Sequence, residues 1–289
     1  MINIRMGGVP EHFNLPIILA NEFGMFKDKN IQLDWHYFPA GTGAMTKAIA
    51  NNELDIAIVL TEGAVSAIIN GLEAKIIKQY ISSPLIWGIH TGNHSGIKNI
   101  GDCDGKKYAI SRFGSGSHLM ALIDAEIRGK NILEKDFVLI ENMNGALKSL
   151  ENNESDVFFW EKYTTKPSVD NGTIKRIGEF ITPWSCFQII ASNRFIEKHP
   201  ESIKNLTQII NFSSKQFMKA NNSIEEVSQR FKLDILDAYN WFYSTEWSID
   251  QNISDKMLEN VMFSLNKINI IHHIPQTQSL IDKNLVNLI

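Results

Sequence analysis

The sequence predicts an α/β fold in two lobes, and three observations carry that reading. Short apolar runs alternate with longer segments of helical period, the pattern of largely parallel sheets covered by helices. The run from Leu54 to Leu60 is almost wholly apolar, which suits a strand covered on both faces. The alternation then restarts after the polar stretch Thr91-Gly92-Asn93-His94-Ser95-Gly96, so a second α/β lobe follows the first.

In chain order, Ile2 to Met6 reads as a first strand and Leu15 to Phe23 as an apolar helix that Gly24 ends. Ile31 to Phe38 is a strand, and the turn Gly41-Thr42-Gly43 opens a helix through Ala44 to Asn51. After the strand Leu54 to Leu60, Thr61 can cap a helix over Glu62 to Asn70. Strands over Lys75 to Ile81 and Leu85 to His90 flank Pro84. The second lobe reads as a strand (Lys107 to Ser111), a helix (Ser115 to Arg128), a strand (Phe137 to Ile140), a helix (Gly145 to Leu150) and a strand (Val157 to Trp160). Beyond Thr182-Pro183-Trp184 comes a strand from Phe187 to Ala191, and from there the chain reads as nearly all helix. Ile203, Leu206, Ile210 and Phe217 share one face, and Met257, Val261, Leu265 and Ile268 repeat the pattern. A helical tail needs a surface to pack on, which places it against the first lobe. Lobe I is then residues 1–90 and 187–289, and lobe II is residues 91–186, with crossings near 89–92 and 181–187. Two crossings make a hinge, and a hinge makes a cleft.

Composition narrows the function. A chain of 289 residues, 44% of them hydrophobic, exceeds the size at which a single core stops growing. A net charge of −4 with no Lys/Arg-rich run gives no cationic field for a polyanion, so nucleic acid is excluded as a partner. Cys103 and Cys186 lie far apart and match no ligand spacing, and His272-His273, being adjacent, point apart; no metal and no cofactor is expected. No window reaches the ~18 apolar residues of a membrane span. If Met1 is the natural start, the opening reads as a strand rather than a leader and the protein is cytoplasmic; if a leader was removed, it is periplasmic or extracellular.

In open α/β sheets ligands bind beyond the carboxyl ends of the strands, so the residues following each strand are the candidates. The first strand leads to Glu11, His12 and Phe13, the Gly41-Thr42-Gly43 turn offers Thr42, and the third strand leads to Thr61 and Glu62. In the second lobe, Ser111-Arg112-Phe113-Gly114-Ser115-Gly116-Ser117-His118 joins a strand to a helix. Its glycines allow close backbone approach, the helix start presents free N–H groups, and Arg112 adds a forked donor for carboxylate, sulfonate or phosphate. It is neither a dinucleotide fingerprint, since Leu119 occupies the third glycine position, nor a P-loop, since it lacks the lysine. Trp160 and Glu161 end a further strand, and Trp87 and Trp184 are aromatic walls on which a ring could stack. Three acids (Glu11, Glu62, Glu161) beside Arg112, His12 and His118 make a site of mixed sign, which suits a zwitterion or an amine-bearing ring.

Taken in order, Val9-Pro10-Glu11-His12-Phe13, Gly41-Thr42-Gly43, Glu53-Leu54-Asp55-Ile56-Ala57, Thr61-Glu62, Ser83-Pro84-Leu85-Ile86-Trp87, the Ser111 to His118 loop, Trp160-Glu161 and Thr182-Pro183-Trp184-Ser185 resemble the type 2 periplasmic-binding-protein fold. Within it the chain is similar to the nitrate, sulfonate and taurine-binding group and its thiamine-pyrimidine-synthase relatives, most of all to a signal-less subgroup described from a Candida yeast. The resemblance implies a two-lobed Venus-flytrap architecture with two crossover segments. It also implies a ligand held between the lobes without chemical change and, for exported members, delivery to an ABC transporter permease. The synthases place a histidine just after the third strand, use a lysine for pyridoxal phosphate and carry a cysteine-rich motif. Here that stretch is Val59-Leu60-Thr61-Glu62-Gly63, and Thr182 to Phe187 holds only Cys186. The expectation is therefore a non-catalytic solute-binding protein for a small polar organic molecule. An enzyme of thiamine-precursor pyrimidine metabolism and a ligand-sensing module are the alternatives.

Overall fold

A computed structural model describes residues 1–289. The elements, in order, are β1 (Ile2–Gly8), α1 (Leu15–Glu22), β2 (Ile31–Tyr37), α2 (Thr42–Ala50), β3 (Ile56–Leu60), α3 (Thr61–Ile69), β4 (Ala74–Ile81), β5 (Ile86–Gly92), β6 (Tyr108–Ile110), α4 (Gly116–Ile127), β7 (Phe137–Leu139), α5 (Met143–Glu151), β8 (Val157–Glu161), α6 (Lys166–Asp170), β9 (Ile174–Ile181), β10 (Phe187–Ser192), α7 (Asn193–Lys198), α8 (Pro200–Lys219), α9 (Ser223–Phe231), α10 (Ile235–Ser244), β11 (Asn252–Ile253), α11 (Asp255–Lys267) and β12 (Asn287–Leu288). The chain forms two compact units, Met1–Ser83 with Trp184–Ile289, and Pro84–Pro183. The boundaries differ from the sequence reading of 1–90, 91–186 and 187–289. β5 pairs along its whole length with β9 and in part with β8, so the chain has entered the second unit before Ile86.

The first unit is built on a sheet of order β2-β1-β3-β10-β4. β1 runs parallel to β2 and β3, whereas β10 is antiparallel to both β3 and β4. The sheet is thus mixed rather than largely parallel, because β10 returns from a long excursion and enters from the opposite end. All five residues of β3 are buried, as its apolar run requires. Arg5 clamps the start of β3 to β1, with Nη2 donating to Asp55 Oδ1 at 2.6 Å and Nε to Oδ2 at 3.0 Å. The helical tail packs here: α8 buries Ile203, Leu206, Ile210 and Phe217 and lies on α1, while α11 lies on α3. On α11 the buried face is Leu258, Val261, Met262 and Leu265, one position off the predicted stripe at Met257 and Ile268. After Lys267 the chain forms no further α-helix; it runs through turns and a single 3-10 turn at Thr277–Ser279, with Ile281 bridging to Ile76 on β4.

The second unit repeats this plan with a sheet of order β7-β6-β8-β5-β9, in which β6 is parallel to β7 and β8, and β5 is antiparallel to β8 and β9. Its core includes Ala109, Ile140, Ala146, Leu150, Phe158 and Ile174. Sequence periodicity misses β9 and the short α6. On β9 the partners step from Gly178 opposite Ile89 to Arg176 opposite His90, and this bulge breaks the alternation by which a strand is read. No helix of the chain is long and apolar enough to cross a membrane.

Candidate functional site

In the first unit, Phe187 pairs with Leu60, so the start of β10 lies beside the end of β3. Thr61 ties the two together. Its amide donates to Cys186 O at 2.9 Å, its hydroxyl donates to Ser185 O, and the same oxygen accepts from Gln188 Nε2 at 3.0 Å. Thr42, at the start of α2, accepts the Leu60 amide on Oγ1 at 3.1 Å and so steadies the same corner. Glu62 is the second residue of α3 and is 1% exposed. Trp184 Nε1 donates to its Oε2 at 2.9 Å, and its Oε1 is buried with no partner. Burial pushes this carboxyl up to about 7, while the Trp184 N–H and its own amide pull the other way.

The three residues after β1 sit differently. Glu11 is part-buried ahead of the short turn His12–Asn14. His12 is buried, its ring 4.2 Å from that of Trp241 and 5.6 Å from that of Phe231, and burial holds it neutral with a pKa of about 3. Phe13 packs against Phe187 and Trp241, and its carbonyl accepts from Tyr80 Oη and Trp247 Nε1. His12 and Phe13 are therefore members of the aromatic core of this unit, drawn in by tail helices whose cover no local pattern reveals. They correct the expectation that every group after β1 meets a ligand.

In the second unit, the loop after β6 folds into a hydroxyl-lined turn. Ser117 Oγ accepts from the Ser111 amide at 3.1 Å and lies 3.0 Å from Ser115 Oγ, and Ser115 caps α4 by accepting from the His118 amide at 3.4 Å. Gly114, at φ 76°, turns the chain so that its amide donates to His118 Nδ1 at 3.0 Å. That bond makes Nδ1 an acceptor and leaves the imidazole proton on Nε2. Edge contacts from Phe113 and Phe137 complete a buried site that lowers His118 to about 4. Arg112, half-buried in this loop, has its pKa lowered by burial but stays charged, and Gly116 begins the helix.

Trp87 and Glu161 are opposite one another on β5 and β8. Trp87 Nε1 donates to Thr182 Oγ1 at 2.9 Å, and Glu161 Oε2 accepts from the Thr164 amide at 2.6 Å and its hydroxyl at 2.8 Å. Burial raises Glu161 to about 6. Trp160 stacks on Phe158 at 5.3 Å against the core and is a packing residue. The structure thus groups Thr42, Thr61, Glu62 and Trp184 in one unit, and Ser111 to His118 in the other, with Trp87 and Glu161 as a second cluster there. Sequence reasoning passed over Gln188, whose Oε1 is buried without a partner, and His90, which is fully buried between Phe158 O at 3.3 Å and Thr165 Oγ1 at 3.0 Å. A polar residue inside each of the apolar strands Phe187–Ser192 and Ile86–Gly92 was the available signal. No group of three or more His, Cys, Asp or Glu side chains is placed to hold a metal ion.

Comparison with known proteins adds a lineage to this geometry. Residues 87–180 match a family model described as Ca3427-like PBP, and residues 2–85 match that of the NMT1-like family. The Candida albicans CA3427 gene product, described as defining a family with the generic periplasmic binding protein structural fold, aligns at a TM-score of 0.92 and 25% identity over 100% of this chain and 98% of that one. This chain has the type 2 periplasmic-binding-protein fold. The alkanesulfonate-binding protein SsuA of Xanthomonas axonopodis pv. citri, bound to MOPS, shares that fold at a TM-score of 0.77 and 13% identity, over 99% of this chain and 98% of that chain. A Bacillus subtilis protein provisionally named for binding aliphatic sulfonates is 23% identical over 203 residues, which are 68% of this chain. The match spans 60% of the length of that curated relative. Family models thus match a stretch of each unit, and the fold is shared over the whole chain.

Proposed function

We propose that this chain binds a small polar organic molecule without changing it, and that the loop from Ser111 to His118 takes the anionic or carbonyl end of that molecule. The observation that carries the reading is the loop itself. It combines a half-buried guanidinium, three linked hydroxyls and the start of a twelve-residue helix within eight residues. The helix dipole and Arg112 both favour a negative charge there. The sulfonate-binding names of SsuA and of the Bacillus protein support an oxyanion as that end. Glu62, Thr61 and Trp184 in the first unit, and Glu161 and Trp87 in the second, are proposed as further ligand-binding residues. An ABC transporter permease is the partner this reading implies for an exported chain.

A binding rather than catalytic role is supported by how the imidazoles are used. His118 spends Nδ1 on a backbone amide, and His12 is held neutral among aromatic rings. His90 does face a hydroxyl, but both residues are wholly buried and Thr165 Oγ1 is already engaged with Glu161 O at 3.0 Å. None of these matches a nucleophile activated by an accessible base.

The test is a thermal-shift screen of organosulfonates, carboxylates and amino compounds, followed by calorimetry on the best binder. Arg112→Ala is expected to weaken binding at least tenfold, about 1.4 kcal/mol, with the far-ultraviolet circular dichroism unchanged. Equal affinity in the variant would reject the loop as the anchor.

A further inference from the structure

The first unit carries a pocket that the ligand-binding reading does not use. It opens where α1, α8 and α9 meet and has a volume of about 310 Å³. Local sequence makes the space. α1 ends in a left-handed turn at Gly24, φ 74°, with the Met25 amide bonded to Ala20 O at 3.0 Å and the Gly24 amide to Asn21 O at 3.0 Å. The turn leads the chain toward β2, where Phe26 O accepts from the Ile31 amide at 3.0 Å, and it leaves Phe23 outside, 76% exposed. Phe212 of α8, on the wall of the same pocket, is 52% exposed. A single exposed aromatic is ordinary, but two on one concavity mark a surface built to be covered. Ala20, Ser213 and Ser223 are too small to fill what lies between the helices. The pocket is at the sheet end where β1 and β2 begin, whereas Thr61 and Glu62 follow the end of β3, which runs parallel to β1.

The polar groups of the wall divide into spent and free. Ser213 Oγ donates to Ile210 O at 3.2 Å, and Ser223 Oγ donates to Phe217 O at 2.6 Å. Glu226 Oε2 accepts from Arg230 Nε at 2.9 Å, and Arg230 also binds Glu22 through two bonds. Gln216, Lys219 and Asn222 make no side-chain bond. The one acid of the wall is thus held by a guanidinium, and Lys219 is the wall's unpaired charge. Around it the lining is apolar, with Pro16, Leu19, Met25 and Phe217 beside the two exposed phenylalanines.

An apolar cavity of ~150 Å³ takes a benzene-sized guest, and small-molecule pockets begin at about 300 Å³. The space here is about twice the first, room for two fused rings or a chain of about eight carbons. We infer that this pocket binds an anionic amphiphile, an aliphatic or aromatic carboxylate whose apolar body lies against Phe23, Phe212 and Leu19 and whose head meets Lys219. The site lies wholly in the first unit and stands independently of the loop at Arg112.

Octanoate, 1-octanol and octylammonium share a chain and differ in the head. Each is titrated into the full chain carrying isotope-labelled methionine methyls, with Met25 as the reporter because it lines the pocket. Octanoate is expected to give a saturable Met25 shift with an affinity about threefold or more above that of octylammonium, and octanol lies between. Lys219→Glu is expected to reverse that order, and Phe212→Ala to weaken all three probes about fivefold or more. Both side chains are exposed, so neither change threatens the fold. No saturable Met25 shift with any probe overturns the inference, as does a shift that Phe212→Ala leaves unchanged. Equal affinities for octanoate and octylammonium, or a preference that survives Lys219→Glu, reject the anionic class and with it the proposal. Octanoate taken up by the loop at Arg112 instead would move the Met120 methyl in α4 and leave Met25 still. A Met25 resonance that moves on dilution of the protein but ignores all three probes assigns the pocket to a second copy of the chain, which overturns the proposal too.

Discussion

At the scale of the residue, the decisive groups are those whose chemistry is at odds with their burial. Glu62 is the clearest, and its linkage to folding has a definite sign. Its carboxyl titrates near 4.5 when unfolded and at about 7 when folded, so between those values the folded state holds the proton more tightly. Its contribution to stability is therefore full below pH 4.5 and is lost as the pH rises through 7. Glu62→Gln is expected to remove that loss, raising urea stability relative to the parent at pH 8 compared with pH 5 by on the order of 3 kcal/mol. A parallel pH dependence in parent and variant would show that the carboxyl is not buried as described. Gly63, next in the chain, is constrained by space alone. A Cβ there would lie 2.4 Å from Thr42 Cγ2, and Thr42 cannot swing away without losing the Leu60 amide. Gly63→Ala is expected to cost about 1–3 kcal/mol, read as a lower urea midpoint with an unchanged slope.

At the scale of the element, the helix that follows β6 does two tasks with one residue. Ser115 caps α4 and also positions Ser117 Oγ, which in turn holds the Ser111 amide. Ser115→Ala is expected to cost about 1 kcal/mol in thermal unfolding, as a lost cap does. It should also speed amide exchange at Ser111 and His118, while exchange in α5 stays as in the parent. A uniform increase across the second unit would mean that the effect is global instability rather than loss of the turn. Strand β10 shows a different dependence. Its residues are all buried, yet its direction and its place between β3 and β4 follow from its re-entry after the second unit, which nothing within Phe187–Ser192 encodes.

At the scale of the whole molecule, buried titratable groups of opposite kind compete over the acid range. Burial lowers His12 and His90 to about 3 and His118 to about 4, against 6.5 unfolded. For these bases, stability is full above pH 6.5 and is lost as the pH falls toward the folded values, since the unfolded chain takes up protons first. Glu62 and Glu161 act oppositely between about 7 and 4.5, gaining stability as the pH falls. Each group contributes at most ~1.4 kcal/mol per pH unit, so the two carboxyls offset about half of the loss from the three imidazoles down to pH 4.5. Below that value the imidazoles act unopposed. Stability from urea unfolding is expected to fall by on the order of 3 kcal/mol from pH 6.5 to 4.5 and more steeply below. A decline between pH 6.5 and 4.5 as steep as the one below pH 4.5 would show that the carboxyls are solvated.

The amino-acid sequence determined what depends on local pattern. The alternation of apolar runs and helical segments located most of the strands and helices, and the ordered motifs pointed to the periplasmic-binding-protein fold. The glycine-serine loop identified its own helix start, because capping and backbone turning are decided within a few residues. Tertiary structure decided what depends on residues far apart in the chain. His12 reads as a ligand-facing residue until Trp241 and Phe231, more than two hundred positions away, close over it. β9 stays hidden because its bulge is defined only by its partner β5. Glu62 is one acid among three until Trp184 is found to satisfy one of its oxygens and burial to leave the other unpaired. Periodicity reports which face of an element is covered; which distant residue covers it is settled only when the chain has folded.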